Sequence, residues 1–185
     1  YFTKGSLARL FRQAGFEVRD LWTAYDDQYL MIEARPGSVP SPSGRGLGRG
    51  SAAEDHVVPG EESSEQTLEM VRYFVEHYEA NRTQWRTKLA DWRAAARRVV
   101  LWGGGSKGVA FLTTLGQSRD DIAYAVDINP IKHGTFMAGT GQEIIAPESL
   151  KTYRPDIVII MNPVYRAEVT TDLAALGLSP QIETL

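Results

Sequence analysis

A glycine-rich segment holds the first residues whose types and spacing could do chemistry. Residues 103–108 read Gly-Gly-Gly-Ser-Lys-Gly and follow a short apolar run, as a G-x-G-x-x-G turn between a strand and a helix would. Glycines let a ligand approach the backbone, and a helix N-terminus presents N–H groups and partial positive charge to an anion. Asp127, 19 positions after Gly108, stands where a nucleotide-binding fold would bond a ribose hydroxyl. The same glycines would also suit a purely structural turn.

A polar segment that begins at Asp127 is the second candidate. Residues 127–134 read Asp-Ile-Asn-Pro-Ile-Lys-His-Gly and leave the carboxyl end of an apolar run, where open α/β sheets bind ligands. This segment could equally be an ordered connection in which Asp127 accepts backbone hydrogen bonds. Asn162 follows another apolar strand and could contact a ligand or only cap the next helix. The predicted substrate-binding residues are Gly103, Gly105, Ser106, Lys107, Gly108, Asp127, Asn129, Lys132, His133 and Asn162.

Apolar strands alternate with short helices through residues 99–185. The predicted strands are 99–102, 122–127, 142–145, 156–161 and 181–185, and the predicted helices are 107–115, 148–153 and 165–176. Buried strands joined by helices are typical of a parallel sheet covered on both faces, with right-handed crossovers. The predicted fold class is therefore α/β, with a small Rossmann-like domain at residues 99–185.

The residues before that domain divide into three parts. Residues 1–35 predict a helix and a two-stranded hairpin, whose core is too small to stand alone, so they resemble the end of a second α/β domain. Residues 36–62 predict a flexible linker, because Gly, Ser and Pro dominate their composition. Residues 63–98 predict a long amphipathic helix, which begins with a capping box at Ser63 and Gln66.

The long helix carries one apolar stripe. Eight of its nine members are apolar, and they follow steps of three and four residues: Leu68, Val71, Val75, Tyr78, Arg82, Trp85, Leu89, Trp92 and Ala96. At about 30 residues, such a helix is roughly 45 Å long. The stripe could pack on its own chain, or it could form the seam of a homodimer.

Composition excludes several classes of function. The chain has 185 residues, a formal net charge of −3 and no cysteine, so it has no thiolate nucleophile and no cysteine zinc site. Mild acidity argues against a nucleic-acid partner, and no apolar run approaches the ~20 residues of a membrane span. No catalytic constellation and no metal-ligand cluster stands out. Because no signal peptide opens the sequence, we expect a cytoplasmic location.

Several segments together resemble a known family. Residues 99–108 are similar to the glycine loop of the C-terminal domain of S-adenosylmethionine-dependent C-methyltransferases, the group that includes deoxysugar C-methyltransferases. The pattern D-x-N-P-x-K-x-G at residues 127–134, followed by Gly139-Thr140, resembles the most distinctive signature of that domain. Residues 154–156 (Arg-Pro-Asp) are similar as well, and residues 1–18 resemble the end of a class I methyltransferase domain.

The resemblance implies a parent protein that transfers a methyl group from S-adenosylmethionine to a carbon atom. In the family, the catalytic Glu-His pair and the methyl-donor glycine loop lie upstream of the segment that matches Tyr1-Phe2. The resemblance therefore implies that this chain holds no catalytic residue and binds no S-adenosylmethionine. It would instead help to hold a small-molecule substrate, for which a nucleotide sugar is typical of the family.

Two other classes of function stay open on the residues alone. The glycine segment with Asp127 also fits an NAD(P)-binding or nucleotide-binding module of an oxidoreductase. The long helix by itself fits a helix-mediated oligomerisation domain. Saturable NADH binding would favour the first alternative, and a dimer that depends on the helix would favour the second.

Overall fold

The computed structural model describes residues 2–37 and 57–185. The chain forms two compact units, divided between His77 and Tyr78, and each is described by itself. The helices are α1 (Lys4–Gln13), α2 (Ser64–Ala94), α3 (Ser106–Leu115), α4 (Leu150–Tyr153) and α5 (Arg166–Ala175). The strands are β1 (Phe16–Ala24), β2 (Tyr29–Pro36), β3 (Val99–Trp102), β4 (Tyr124–Val126), β5 (Glu143–Ile145), β6 (Ile157–Ile160) and β7 (Gln181–Thr184).

The first unit packs α1 on an antiparallel hairpin of β1 and β2. Thr3 caps α1: its hydroxyl accepts a hydrogen bond from the Ser6 N–H, and its own N–H donates to the Ser6 hydroxyl. The predicted turn at Asp26 and Asp27 is confirmed, and both residues have positive φ angles. The small core of this unit contains Ala8, Val18, Leu21 and Val58.

Most of the predicted linker, residues 38–56, lies outside the described residues. Its last part, residues 57–62, lies against α1. The Arg12 guanidinium donates to the Glu61 carboxylate at 2.8 Å, and the Gly5 N–H donates to the Glu62 carboxylate at 2.8 Å. The hydrogen bond from Arg12 holds the pKa of Glu61 below its ordinary value. The end of the linker is therefore anchored to the first unit.

The second unit is built on a five-stranded parallel sheet in the order β5-β4-β3-β6-β7. From the central β3 the chain moves outward to β4 and β5, and it then returns to place β6 on the other side of β3. This is the strand order of a Rossmann-like half, so the predicted fold class is confirmed. Every residue of β3 and β6 is buried.

The two faces of this sheet have separate cores. Leu101 and Ile159 belong to a cluster with residues of α2 and α3. Val100 and Trp102 belong to a second cluster, which includes Val169 of α5. Because successive side chains of a strand point to opposite faces, one short strand contributes to both cores. Helices therefore cover both faces, as a buried parallel sheet requires.

The long helix α2 divides the predicted apolar stripe into two parts. The capping box at Ser63 and Gln66 is confirmed by two reciprocal hydrogen bonds. In the C-terminal part, Trp85 and Leu89 are buried in the core of the second unit. In the N-terminal part, Val71 and the other large apolar side chains are exposed. The stripe thus packs on its own chain over only part of its length.

Element boundaries differ from the predictions mainly at β4. The apolar pattern predicts a strand over 122–127, whereas β4 covers Tyr124–Val126. Ile122 is buried, but its N–H donates to the Ser118 carbonyl in a turn. Asp127 leaves the sheet because its carboxylate is bonded to neighbouring loops, as described below.

Candidate ligand-binding cleft

The glycine segment makes a tight turn between β3 and α3. Gly103 has a φ angle of +123°, which L side chains rarely adopt. A Cβ atom on Gly104 would lie 3.2 Å from the Asp127 carboxylate, and one on Gly108 would lie 2.6 Å from the Gly103 carbonyl oxygen. Close packing inside the protein therefore explains these glycines, whether or not a ligand also approaches them.

The Asp127 carboxylate joins three loop positions at the carboxyl end of β4. One oxygen accepts hydrogen bonds from the Gly104 N–H at 3.1 Å and from Lys132 Nζ at 2.7 Å. The other oxygen accepts from the Asn129 N–H at 2.9 Å, and His133 Nε2 lies 2.7 Å from the Asp127 carbonyl oxygen. A dinucleotide ribose would have to compete with these groups for the carboxylate.

The electrostatics of Asp127 follow from the same contacts. Burial alone would raise the pKa of this carboxyl, because it disfavours the charged form. The hydrogen bonds and positive charge of Lys132, together with the N–H groups of Asn129 and Gly104, outweigh burial and lower the pKa below its ordinary value. Asp127 is therefore an ionised structural group at neutral pH.

A cleft of about 240 Å³ opens at the carboxyl ends of β3, β4 and β6. It lies beside the point where the strand order reverses, between β3 and β6, which is where open α/β sheets bind their ligands. Its apolar wall continues the core on the α5 side, through Trp102, Ile160 and Val169. The position and the apolar wall make this cleft the candidate binding site of the second unit.

Polar groups of the loop after β6 and of α5 also line the cleft. Asn162 accepts a hydrogen bond from the Val164 N–H at 3.4 Å, so it caps the turn that follows β6. Tyr165, Glu168 and Asp172 line the cleft from the start of α5. No lysine, arginine or histidine is among the lining residues. The polar side of the cleft is therefore acidic.

The structure brings three of the ten predicted site residues into this cleft, namely Gly103, Asp127 and Asn162. The other seven lie outside its lining, so their part in binding stays a prediction: Gly105, Ser106, Lys107, Gly108, Asn129, Lys132 and His133. Sequence reasoning missed Trp102, Tyr165, Glu168 and Asp172. One signal was available, because two carboxylates four residues apart after the most apolar strand must share a helix face.

Two further searches concern residues 2–37 and 57–185 only. Across these ranges, no helix combines the length and the apolar composition needed to cross a membrane. In the same part of the chain, His, Asp and Glu side chains form no group of three or more that could hold a metal ion.

Comparison with known proteins identifies the family. A family profile described as the C-methyltransferase C-terminal domain matches residues 51–178. The chain belongs to this family. The C-methyltransferase NovU of Streptomyces niveus is 28% identical over 178 residues, which cover 91% of this chain and 39% of NovU. This C-methyltransferase domain chain therefore spans about two-fifths of the length of that relative, and the family resemblance carried by residues 99–108 and 127–134 is confirmed.

Two solved structures have a limited likeness to this C-methyltransferase domain chain. The crystal structure of RSP, a Rex-family repressor, has a TM-score of 0.37 and 15% identity, over 48% of this chain and 52% of RSP. RSP in complex with beta-NAD+ and operator DNA has a TM-score of 0.35 and 18% identity, over 48% of this chain and 50% of that one. At these scores, the ligands of RSP carry no argument about this protein.

Proposed function

We propose that this chain is the substrate-holding part of an S-adenosylmethionine-dependent C-methyltransferase that acts in the cytoplasm. The observation that carries the proposal is the cleft at the carboxyl ends of β3 and β6, in a chain of the C-methyltransferase C-terminal domain family. In this proposal the methyl donor and the acid–base residues belong to the rest of the methyltransferase. The methyl acceptor is a small molecule, with a nucleotide sugar as the family-typical example.

The chemistry of C-methylation defines what such a domain contributes. A base removes a proton next to a carbonyl, and the electron pair of the broken C–H bond forms the new C–C bond with the methyl group. The sulfonium sulfur keeps the electrons of its broken S–C bond and leaves as a neutral thioether. A domain that holds the acceptor orients its carbon toward the methyl group and keeps water away.

The loops beside the cleft supply further proposed contacts to the acceptor. The N-terminus of α3, with Lys107, and the 127–134 loop, with Asn129 and Lys132, lie at the same end of the sheet as the cleft. Backbone N–H groups at a helix start and lysine ammonium groups favour anions. We therefore assign these loops to an anionic part of the acceptor, outside the cleft itself.

Calorimetric titration of the 185-residue chain tests this division of labour. We expect no saturable heat with S-adenosylmethionine, because the donor site lies elsewhere in the proposed methyltransferase. We also expect no saturable change in NADH fluorescence, because Asp127 is bonded to Lys132 and Gly104. Micromolar binding of S-adenosylmethionine would contradict the proposal. NADH binding that is lost in Asp127→Ala would support the oxidoreductase alternative instead.

We propose a second role for α2, which is to join two copies of this chain. Six large apolar side chains in its N-terminal part are 51–65% exposed: Leu68, Met70, Val71, Tyr73, Phe74 and Val75. The charged residues Glu65, Glu69, Arg72 and Glu76 share the opposite side of the helix, at steps of three and four. With roughly 100 Å² exposed on each, the six side chains present roughly 600 Å², close to the ~800 Å² that each partner buries in a standard interface.

Sedimentation velocity over a range of concentrations tests this dimer. We expect the chain to dimerise and Phe74→Glu to remain a monomer with an unchanged far-UV circular dichroism spectrum. Glu69→Gln, on the charged side of the same helix, should still dimerise. Trp85→Glu is not a usable probe, because Trp85 is buried in the core of the second unit. A native chain that stays monomeric at high concentration would refute the dimer.

A further inference from the structure

The charges of the cleft indicate which chemical group it can take. Its lining contains the carboxylates of Asp127, Glu168 and Asp172 and no cationic side chain. Asp127 is paired with Lys132 at 2.7 Å. Neither Glu168 nor Asp172 takes part in an ion pair within residues 2–37 and 57–185. Two negative charges at the cleft therefore lack a cation from the described protein.

The placement of these two carboxylates concentrates their field. Glu168 and Asp172 lie four residues apart on α5, where side chains share a face and like charges repel. Val169, which lies between them in sequence, is buried in the apolar wall of the cleft. A ligand cation between the two carboxylates would relieve their repulsion, whereas a phosphate would add to it.

Aromatic rings complete the cleft. The indole of Trp102 at the end of β3 and the phenol of Tyr165 line it together with the two carboxylates. Aromatic faces attract cations within about 6 Å, and they also pack against the apolar face of a ring. The cleft thus combines aromatic surface with negative charge.

The size of the cleft limits the ligand. Its volume of about 240 Å³ is below the roughly 300–1,000 Å³ of pockets that bury drug-sized ligands. It can take one ring with its substituents, and a whole nucleotide would extend beyond it.

We propose that the cleft binds a protonated amine carried on a small polar ring, with the ammonium group at Glu168 and Asp172 and the ring against Trp102 and Tyr165. This inference rests on the proposed function, because the bound ring is then the reacting part of the methyl acceptor. Any phosphate of the acceptor lies outside the cleft, toward the α3 N-terminus and Lys132. The acceptor is thus an amine-bearing compound.

Three probes that share one ring test the inference by NMR. The ¹⁵N-labelled chain is titrated with glucosamine, which has a protonated amine, with glucose, which has none, and with glucose 6-phosphate, which is an anion. We expect glucosamine to shift the amide signals of Trp102, Asn162 and Asp172, with a Kd at least about tenfold lower than that of glucose. Glucose 6-phosphate should bind the cleft most weakly.

Matched variants assign the preference to the two carboxylates. The double variant Glu168→Gln, Asp172→Asn should lose the tenfold preference for glucosamine and keep its far-UV circular dichroism spectrum. Asp120→Asn, which changes an exposed carboxylate before the amino end of β4, should keep the preference. Equal binding of glucosamine and glucose, tighter binding of the phosphate, or no shift of cleft signals with any probe would overturn the inference. None of these results decides the proposed function, which is tested through binding of the methyl donor.

Discussion

Replacement of Trp85 by alanine is expected to lower the free energy of unfolding of the second unit by about 3–5 kcal/mol. Trp85 is 7% exposed and belongs to the core cluster that includes Leu101. Its ring meets the Phe111 ring edge-on at a centroid distance of 5.1 Å. Removing the indole would therefore leave a cavity between α2, α3 and the sheet. Urea denaturation followed by far-UV circular dichroism measures the loss without relying on tryptophan fluorescence.

The control for this prediction is Gln84→Ala, which changes the adjacent, exposed residue of α2. Alanine is a better helix former than glutamine, and the Gln84 side chain is not in the core, so the effect should stay within about 0.5 kcal/mol. Similar losses for Trp85→Ala and Gln84→Ala would show that Trp85 does not pack in the core as described.

Substitution of Asp127 by asparagine should lower the free energy of unfolding by about 1–2 kcal/mol at neutral pH. Asparagine keeps an oxygen that can accept the Gly104 or Asn129 N–H, but it loses the charge that pairs with Lys132. The Asp127 side chain is only 11% exposed, so water replaces that interaction poorly. Thermal and urea denaturation of the two proteins side by side measure the difference.

The pH dependence of that difference has a definite sign. The pKa of folded Asp127 lies below its usual value of 3.8, so the charged carboxylate stabilises the folded state above that value. As the pH falls through the lower folded pKa, both states become protonated and the contribution disappears. The gap between the native protein and Asp127→Asn should therefore shrink toward zero in acid. The matched change Asp120→Asn, at an exposed carboxylate, should show no such closing gap, and a gap that stays constant for Asp127→Asn would refute the role of its charge.

The sheet of the second unit could be predicted from the sequence because its central strands are buried on both faces. Such strands form continuous apolar runs, and both Val99–Trp102 and Ile157–Ile160 were predicted within one residue at each end. Gly116, which adopts a left-handed conformation after α3, also marked the end of that helix correctly. The start of β4 could not be predicted, because Ile122 is buried in a turn and looks like a strand residue.

The partner of the α2 stripe could not be predicted, for a different physical reason. Packing on one's own chain and packing on a second copy need the same spacing of apolar residues. Only the structure separates buried Trp85 from exposed Phe74 within one helix.

The candidate site shows a similar limit. Gly104 and Gly108 fit a phosphate loop, but they are also needed for internal packing, so their types alone cannot decide between the two roles. Glu168 and Asp172 look like any solvated helix face in the sequence. Only the return of the chain to place β6 beside β3 puts the start of α5 at the cleft.

Methyl-transfer kinetics of the whole C-methyltransferase, with and without the double variant Glu168→Gln, Asp172→Asn, test the central claim most directly. If the cleft holds the methyl acceptor, the KM for the acceptor should rise about tenfold or more, while the KM for S-adenosylmethionine stays unchanged. A raised KM for S-adenosylmethionine with an unchanged KM for the acceptor would contradict the account.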